Sequence, residues 1–164
     1  MNKINVLFVC LGNICRSPMA EGIFKNIVKK EGLEKYFSID SAGTSRYHID
    51  EDPDHRATGT CAEKNIILNH KGREFVEKDL INQHVILAMD KDNLANIKKL
   101  MTPEIKRLES KSEIFLMRDF DPEHAGANVP DPYYGGQEGF YQVFDMLERS
   151  SYELLSYIRR KHSI

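Results

Sequence analysis

The segment Cys10-Leu11-Gly12-Asn13-Ile14-Cys15-Arg16-Ser17 sets a thiol and a guanidinium six positions apart, with a glycine and an asparagine between them. A loop of that length can curl until successive backbone N–H groups point inward and form a nest for a tetrahedral oxyanion. Gly12 and Asn13 suit the bend, because these residue types reach positive φ most readily. A helix opening near Ser17-Pro18 would add its partial positive end, and the planar fork of Arg16 can grip two phosphate oxygens. The same surroundings favour the thiolate of Cys10 over the thiol. An anionic sulfur on the floor of such a cradle stands opposite the leaving oxygen, in line for attack on phosphorus. Two roles are open to the Ser17 hydroxyl: donating to that thiolate, or capping the helix.

Expelling an alkoxide or phenoxide also needs a proton donor. Asp131, in Asp131-Pro132-Tyr133-Tyr134-Gly135-Gly136, is placed to supply one. Pro132 restricts Asp131 to extended backbone, and the two glycines would let the loop turn back sharply. Tyr133 and Tyr134 could wall a slot for a flat aryl ring. The same residues also read as an Asp-Pro surface turn with two incidental tyrosines, and their spacing leaves both readings open. His48, His55, His84, His124 and His162 are scattered, with no i, i+4 pair beside an acidic residue, so neither a metal site nor a cofactor is expected. Asp50-Glu51-Asp52-Pro53-Asp54 reads first as a solvated helix start, and otherwise as a loop that repels or selects charged substrate flanks.

Elements with regular periodicity surround these groups. Residues 4–9 are nearly all apolar, which suits a strand buried on both faces, and they lead directly into Cys10. Ala20, Ile23, Phe24, Ile27 and Val28 then recur at helical spacing, with Gly32 as a stop. Further strands are predicted at residues 36–39, 85–89 and 114–117. Helices are predicted within 54–65 and around Leu94, Ile97 and Met101. A closing helix carries Phe140, Val143, Phe144, Leu147, Leu154, Leu155 and Ile158 along one stripe. Strand and helix alternate, so the expected fold is α/β: an open twisted sheet of four parallel strands with helices on both faces. The irregular stretch 119–136 is long for a compact domain, and both it and the Cys10 loop would open over the carboxyl ends of the strands.

At 164 residues and 41% hydrophobic composition the chain suits a single domain spanning 1–164. Its 25 acidic and 23 basic side chains nearly cancel, which argues against nucleic acid or an anionic membrane as partner. The apolar start is too short for a signal sequence and no run approaches the ~20 residues of a membrane span, so a cytoplasmic location is expected. Three cysteines, Cys10, Cys15 and Cys61, fit reduced thiols in that compartment, with Cys61 a core residue.

Taken in order, Val9-Cys10-Leu11-Gly12-Asn13-Ile14-Cys15-Arg16-Ser17-Pro18, Asp40-Ser41-Ala42-Gly43-Thr44, Ala88-Met89-Asp90 and Asp131-Pro132-Tyr133-Tyr134 resemble the low-molecular-weight protein tyrosine phosphatase family from one end of the chain to the other. The resemblance implies a phosphatase acting on phosphotyrosine-containing proteins or peptides, with phosphate and other tetrahedral oxyanions as ligands. It implies Cys10 as the nucleophile of a thiophosphate intermediate, Arg16 as the phosphate-binding group, and Asp131 as acid and then base. By the same resemblance, Leu11, Gly12, Asn13, Ile14, Cys15, Ser17, Tyr47, Tyr133 and Tyr134 belong to the substrate site. Asn13 and Ser17 would also brace the loop and the thiolate, with Ser41 and His70 in the supporting network. Cys15 would be the family's second cysteine, either pairing reversibly with Cys10 under oxidant or simply packing under the loop.

Three other activities fit parts of the pattern. The protein-arginine phosphatases of the same scaffold carry a threonine where this chain has Ile14 and lack the second tyrosine, Tyr134. Arsenate reductases pass the thiol to later cysteines, and none follows Cys61. A non-catalytic phosphotyrosine-binding module would need the cradle and Arg16, but neither Cys10 nor Asp131.

Overall fold

Val6, Phe8 and Cys10 point to one side of the first strand and Leu7 and Val9 to the other, and all five are buried, so this strand needs cover on both faces. The computed structural model describes residues 2–108 and 112–164. In chain order it contains β1 (Ile4–Cys10), α1 (Arg16–Lys30), β2 (Phe37–Gly43), α2 (His55–Ala62), α3 (Glu77–Asn82), β3 (Val85–Ala88), α4 (Lys91–Lys99), α5 (Pro103–Arg107), β4 (Glu113–Leu116) and α6 (Gln137–His162). The sheet runs β2-β1-β3-β4 with every pairing parallel. Connections leave β1 toward opposite edges, which makes the carboxyl ends of β1 and β3 the switch point where such sheets bind ligands. Cys10 ends β1 there, and Asp90 follows β3.

One face carries α1 and α6. Phe8 stacks edge-on against Phe24 of α1 at 5.6 Å, and Phe24 against Phe37 of β2 at 5.7 Å. The expected stripe of α6 is buried against this layer throughout. Cys61, on α2, is fully buried in the same cluster, where burial pushes its thiol up to about 12, as expected of a core residue. Leu80, Ile97 and Ile105 of α3, α4 and α5 cover the other face, against Leu7, Val9 and Ile86. None of the helices is long and apolar enough to cross a membrane, among the described residues.

The expected alternation is therefore present, with local differences. β2 runs to Gly43, well past residue 39, because Asp40-Ser41-Ala42-Gly43 pairs with β1 although its small and polar composition resembles a turn. Gly43 is required at that end: a Cβ there would stand 2.8 Å from the Leu11 carbonyl oxygen. The helices α3 and α5, six and five residues long, carry too few turns to show a period. Met101, expected on the helix after β3, lies beyond the end of α4. Gly32 ends α1 as expected, with φ of 70° and the Leu33 N–H donating to Val28 O. Asp54 caps α2, accepting from the Arg56 N–H at 2.9 Å, which fits the reading of the acidic stretch as a helix start.

Candidate active site

Between β1 and α1 the chain makes one tight loop around the Cys10 sulfur. The Asn13 N–H donates to Cys10 Sγ at 3.2 Å, and Ser17 Oγ lies 3.0 Å from the same atom. Asn13 Nδ2 donates to Ser17 Oγ at 2.8 Å, and the Ser17 hydroxyl proton then has two acceptors in reach, the sulfur at 3.0 Å and Ala42 O at 3.4 Å. Ser17 is thus not the cap of α1. It sits in the first turn, after Cys15 at the cap position, and no side chain among the described residues caps the helix. Pro18 has no N–H and that of Met19 donates to Cys15 O, which leaves the N–H groups of Arg16 and Ser17 without an acceptor within the helix.

The bend itself rests on Asn13, with φ of 58°. Gly12 is not left-handed; it is small because the His48 ring approaches, and a Cβ there would meet His48 Cδ2 at 3.1 Å. Gly135 and Gly136 likewise lack positive φ, and the turn after Asp131 is closed by the Gly135 N–H donating to Pro132 O.

Asn13 is 1% exposed and all its amide capacity is used. Nδ2 donates to Ser17 Oγ and to Ser41 Oγ at 3.0 Å. Oδ1 accepts from the Arg73 N–H at 3.1 Å and stands 2.7 Å from His70 Nε2, which must be the donor because Oδ1 has no proton to give. His70 Nδ1 faces Glu21 Oε1 at 3.1 Å and Asp40 Oδ1 at 3.6 Å, and Ser41 donates to the same Glu21 oxygen at 2.7 Å. Ser41 and His70 therefore meet Asn13, as the resemblance implied. Asn13 and Ser17 are buried, and neither is among the residues that line the crevice.

Arg16 is 3% exposed. Its Nη1 donates to Asp90 Oδ2 at 2.6 Å and to Val129 O at 3.0 Å, and its Nη2 faces Asp131 Oδ2 at 3.6 Å. Burial draws the guanidinium down, but Cys10, Asp90 and Asp131 outweigh it and hold the group above its ordinary value, so it stays charged. Asp131 itself is more than a third exposed, with Oδ1 accepting from the Tyr133 N–H at 3.0 Å. Asp121, by contrast, is fully buried between Arg118 and Arg149 and is remote from this chemistry.

These groups open into one crevice of about 190 Å³, lined by Cys10, Leu11, Gly12, Ile14, Cys15, Arg16, Tyr47, His48, Asp131, Tyr133 and Tyr134. Leu11, Tyr47, Tyr133 and Tyr134 are exposed at its mouth. Cys15 is buried, and burial first, then the charge of Asp54, raises its thiol well above the ordinary range, so it stays neutral beside Cys10. A larger hollow of about 460 Å³ between α1 and β2 holds Lys25, Lys29 and Glu34, but neither thiol nor paired acid.

Several partners escaped the sequence. Asp90 and the Val129 carbonyl orient Arg16; its place after a central parallel strand was the available signal for Asp90. His48 lines the crevice and pairs with Glu51 at 2.5 Å, although its position suggested an ordinary polar residue. Glu21, Asp40 and His70 bring ligand-type atoms within 4.8 Å of one another, a grouping that could hold a cation. Each member is already engaged: Glu21 by Lys25, Asp40 by Arg73 and His70 by Asn13.

Residues 5–164 match the family model described as low molecular weight phosphotyrosine protein phosphatase. The protein of that name from Saccharomyces cerevisiae is 40% identical over 156 residues, covering 93% of this chain and 94% of the relative. A crystal structure of a protein tyrosine phosphatase from Entamoeba histolytica, with Hepes in the active site, superposes with a TM-score of 0.87 at 35% identity, over 98% of this chain and 99% of the other. A Drosophila arginine phosphatase superposes with a TM-score of 0.86 at 30% identity, over 94% and 97% of the two chains.

Proposed function

The chain belongs to the low molecular weight phosphotyrosine protein phosphatase family, and from that premise we propose that it hydrolyses phosphotyrosine through a phosphocysteine at Cys10. The observation that carries the reading is the convergence on one crevice of Cys10 Sγ, the Arg16 guanidinium and the Asp131 carboxyl. The Asn13 N–H and the Ser17 hydroxyl both face the sulfur that would attack phosphorus.

In the first step the Cys10 thiolate attacks phosphorus, the S–P bond forms and the P–O bond to the phenol breaks. Asp131, protonated, gives its proton to the departing oxygen. Open N–H groups of the phosphate-binding loop and the first turn of α1, with Arg16, take up the charge of the equatorial oxygens. In the second step the Asp131 carboxylate accepts a proton from water as the water oxygen attacks phosphorus. The S–P bond breaks, phosphate leaves and the thiolate returns. Asp90 and the Val129 carbonyl hold Nη1 of Arg16, which turns the rest of the fork toward the crevice.

Leu11, Ile14, Tyr47, Tyr133 and Tyr134 give the crevice apolar and aromatic walls, and these support an aryl substrate on a protein or peptide over phosphoarginine. A reducing, cytoplasmic setting fits a reaction that requires Cys10 as a free thiol. The test is hydrolysis of phosphotyrosine peptide and phosphoarginine side by side. Preference for the tyrosine ester supports the reading; activity with phosphoarginine alone overturns the specificity, and activity with neither favours a binding module.

A further inference from the structure

The segment bearing Asp131 has Tyr133 and Tyr134 exposed, and among the described residues its carboxylate meets the Tyr133 N–H of its own turn and the Arg16 guanidinium. Its main tie comes from α2. Arg56 Nη2 donates to Tyr133 O at 3.0 Å and Nη1 to Gly135 O at 3.3 Å. The guanidinium lies 5.5 Å from the Tyr133 ring centre and 4.7 Å from that of Phe140, in the first turn of α6. It thus grips the segment at its crest and at its junction with the helix.

Arg56 is in turn fixed by Asp54, with Nε to Oδ1 at 3.0 Å and Nη2 to Oδ2 at 3.1 Å. The hydrogen bond from Arg56 holds the Asp54 carboxyl below its usual range, so the pair stays ionised. Asp54 also reaches the other catalytic loop: its N–H donates to Ile14 O at 2.8 Å. A continuous path therefore runs from the phosphate-binding loop through Ile14, Asp54 and Arg56 to the carbonyls that follow Asp131. Arg56 does not line the crevice.

We propose that Asp54 and Arg56 form a positioning pair that registers the loop of Asp131 against the loop of Cys10, so that Arg56 sets where the acid's proton stands relative to the leaving oxygen. The inference rests on Asp131 being the acid. A planar fork that donates to two carbonyls while lying near two aromatic rings fixes direction as well as distance, which an ammonium could not do.

The experiment is kcat/KM across a series of aryl phosphates of graded leaving-group acidity. Arg56→Met keeps the apolar stem over Phe140 and removes the donors. The expected result is a loss of about 10- to 100-fold with poor leaving groups and little change with good ones, a misplaced proton donor being costly only where the proton is needed. Added to Asp131→Ala, Arg56→Met should then cost almost nothing more, because its effect passes through the acid. Equal loss across the series, or an undiminished loss without Asp131, overturns the proposal. If Asp131→Ala itself shows no dependence on the leaving group, the acid assignment fails instead, and the two failures are distinguishable. Should Arg56→Met not fold, Asp54→Asn keeps the cap oxygen and weakens the ion pair; it should steepen the leaving-group dependence in the same sense, and an unchanged dependence overturns the pair.

Discussion

Arg16 and Asp131 meet at 3.6 Å, Nη2 to Oδ2, although one opens the first helix and the other sits on a loop that enters the last. A cation that gathers phosphate and a carboxyl that handles protons thereby share one edge of the crevice. The contact also ties their electrostatics: the same carboxyl helps keep the guanidinium charged.

Replacing Asp131 by Ala should lower kcat/KM by about 10²- to 10⁴-fold for phenols that leave poorly, and far less for acidic phenols that leave unaided. A leaving-group plot made with both proteins checks this.

Asn13 combines a left-handed backbone with a side-chain amide that meets Ser17, Ser41, His70 and Arg73, and two substitutions separate the contributions. Asn13→Ala should destabilise the protein by about 1–3 kcal/mol in denaturant titrations and lower kcat, since both the bend and the network suffer. Asn13→Gly keeps the bend at no steric cost, so it should recover part of the stability while kcat stays low.

Asp121 should matter for stability and not for chemistry. Burial raises its carboxyl, but hydrogen bonds from Arg149, the Glu123 N–H and Arg118 prevail and hold it far below the ordinary range. A carboxyl depressed in the folded state contributes its stability above the unfolded value of ~4 and loses it as pH falls through that region toward the folded value. Asp121→Asn should therefore cost about 3–5 kcal/mol at neutral pH, with the gap to the parent protein closing in acid, and the leaving-group dependence should not change. Thermal melts from pH 7 down to about 3 read the first part, and the aryl phosphate series the second.

The Glu21, Asp40 and His70 grouping bears on metal dependence. Every step above uses side chains, backbone groups and water alone, so activity measured after exhaustive chelation should equal that before it. Loss restored by a divalent cation would show that a cation is part of the working site.

The sequence made the Cys10 loop legible because its parts are contiguous: a buried strand, the nucleophile, the bend and the arginine follow one another within residues 4–18. The four-strand order of elements was legible for a similar reason, each long element carrying its own period. What lay hidden depends on distant pairing. Asp90 and Arg56 are ordinary charged residues until the fold carries them to Arg16 and to Tyr133. His48 acquires its place only because Gly12 lets the ring approach. Of the two residues that suited the bend, Gly12 and Asn13, only Asn13 takes positive φ. Of the two roles open to Ser17, the fold sets its hydroxyl beside the sulfur and does not use it as a cap.

Everything turns on whether phosphorus becomes bonded to the sulfur of Cys10. Enzyme mixed with a rapidly hydrolysed aryl phosphate, quenched during turnover and mapped by mass spectrometry, should carry one phosphoryl group on the peptide containing Cys10, and Cys10→Ser should bind phosphate with turnover reduced by about 10⁴-fold or more. Phosphate on another residue, or undiminished turnover by Cys10→Ser, would contradict the account.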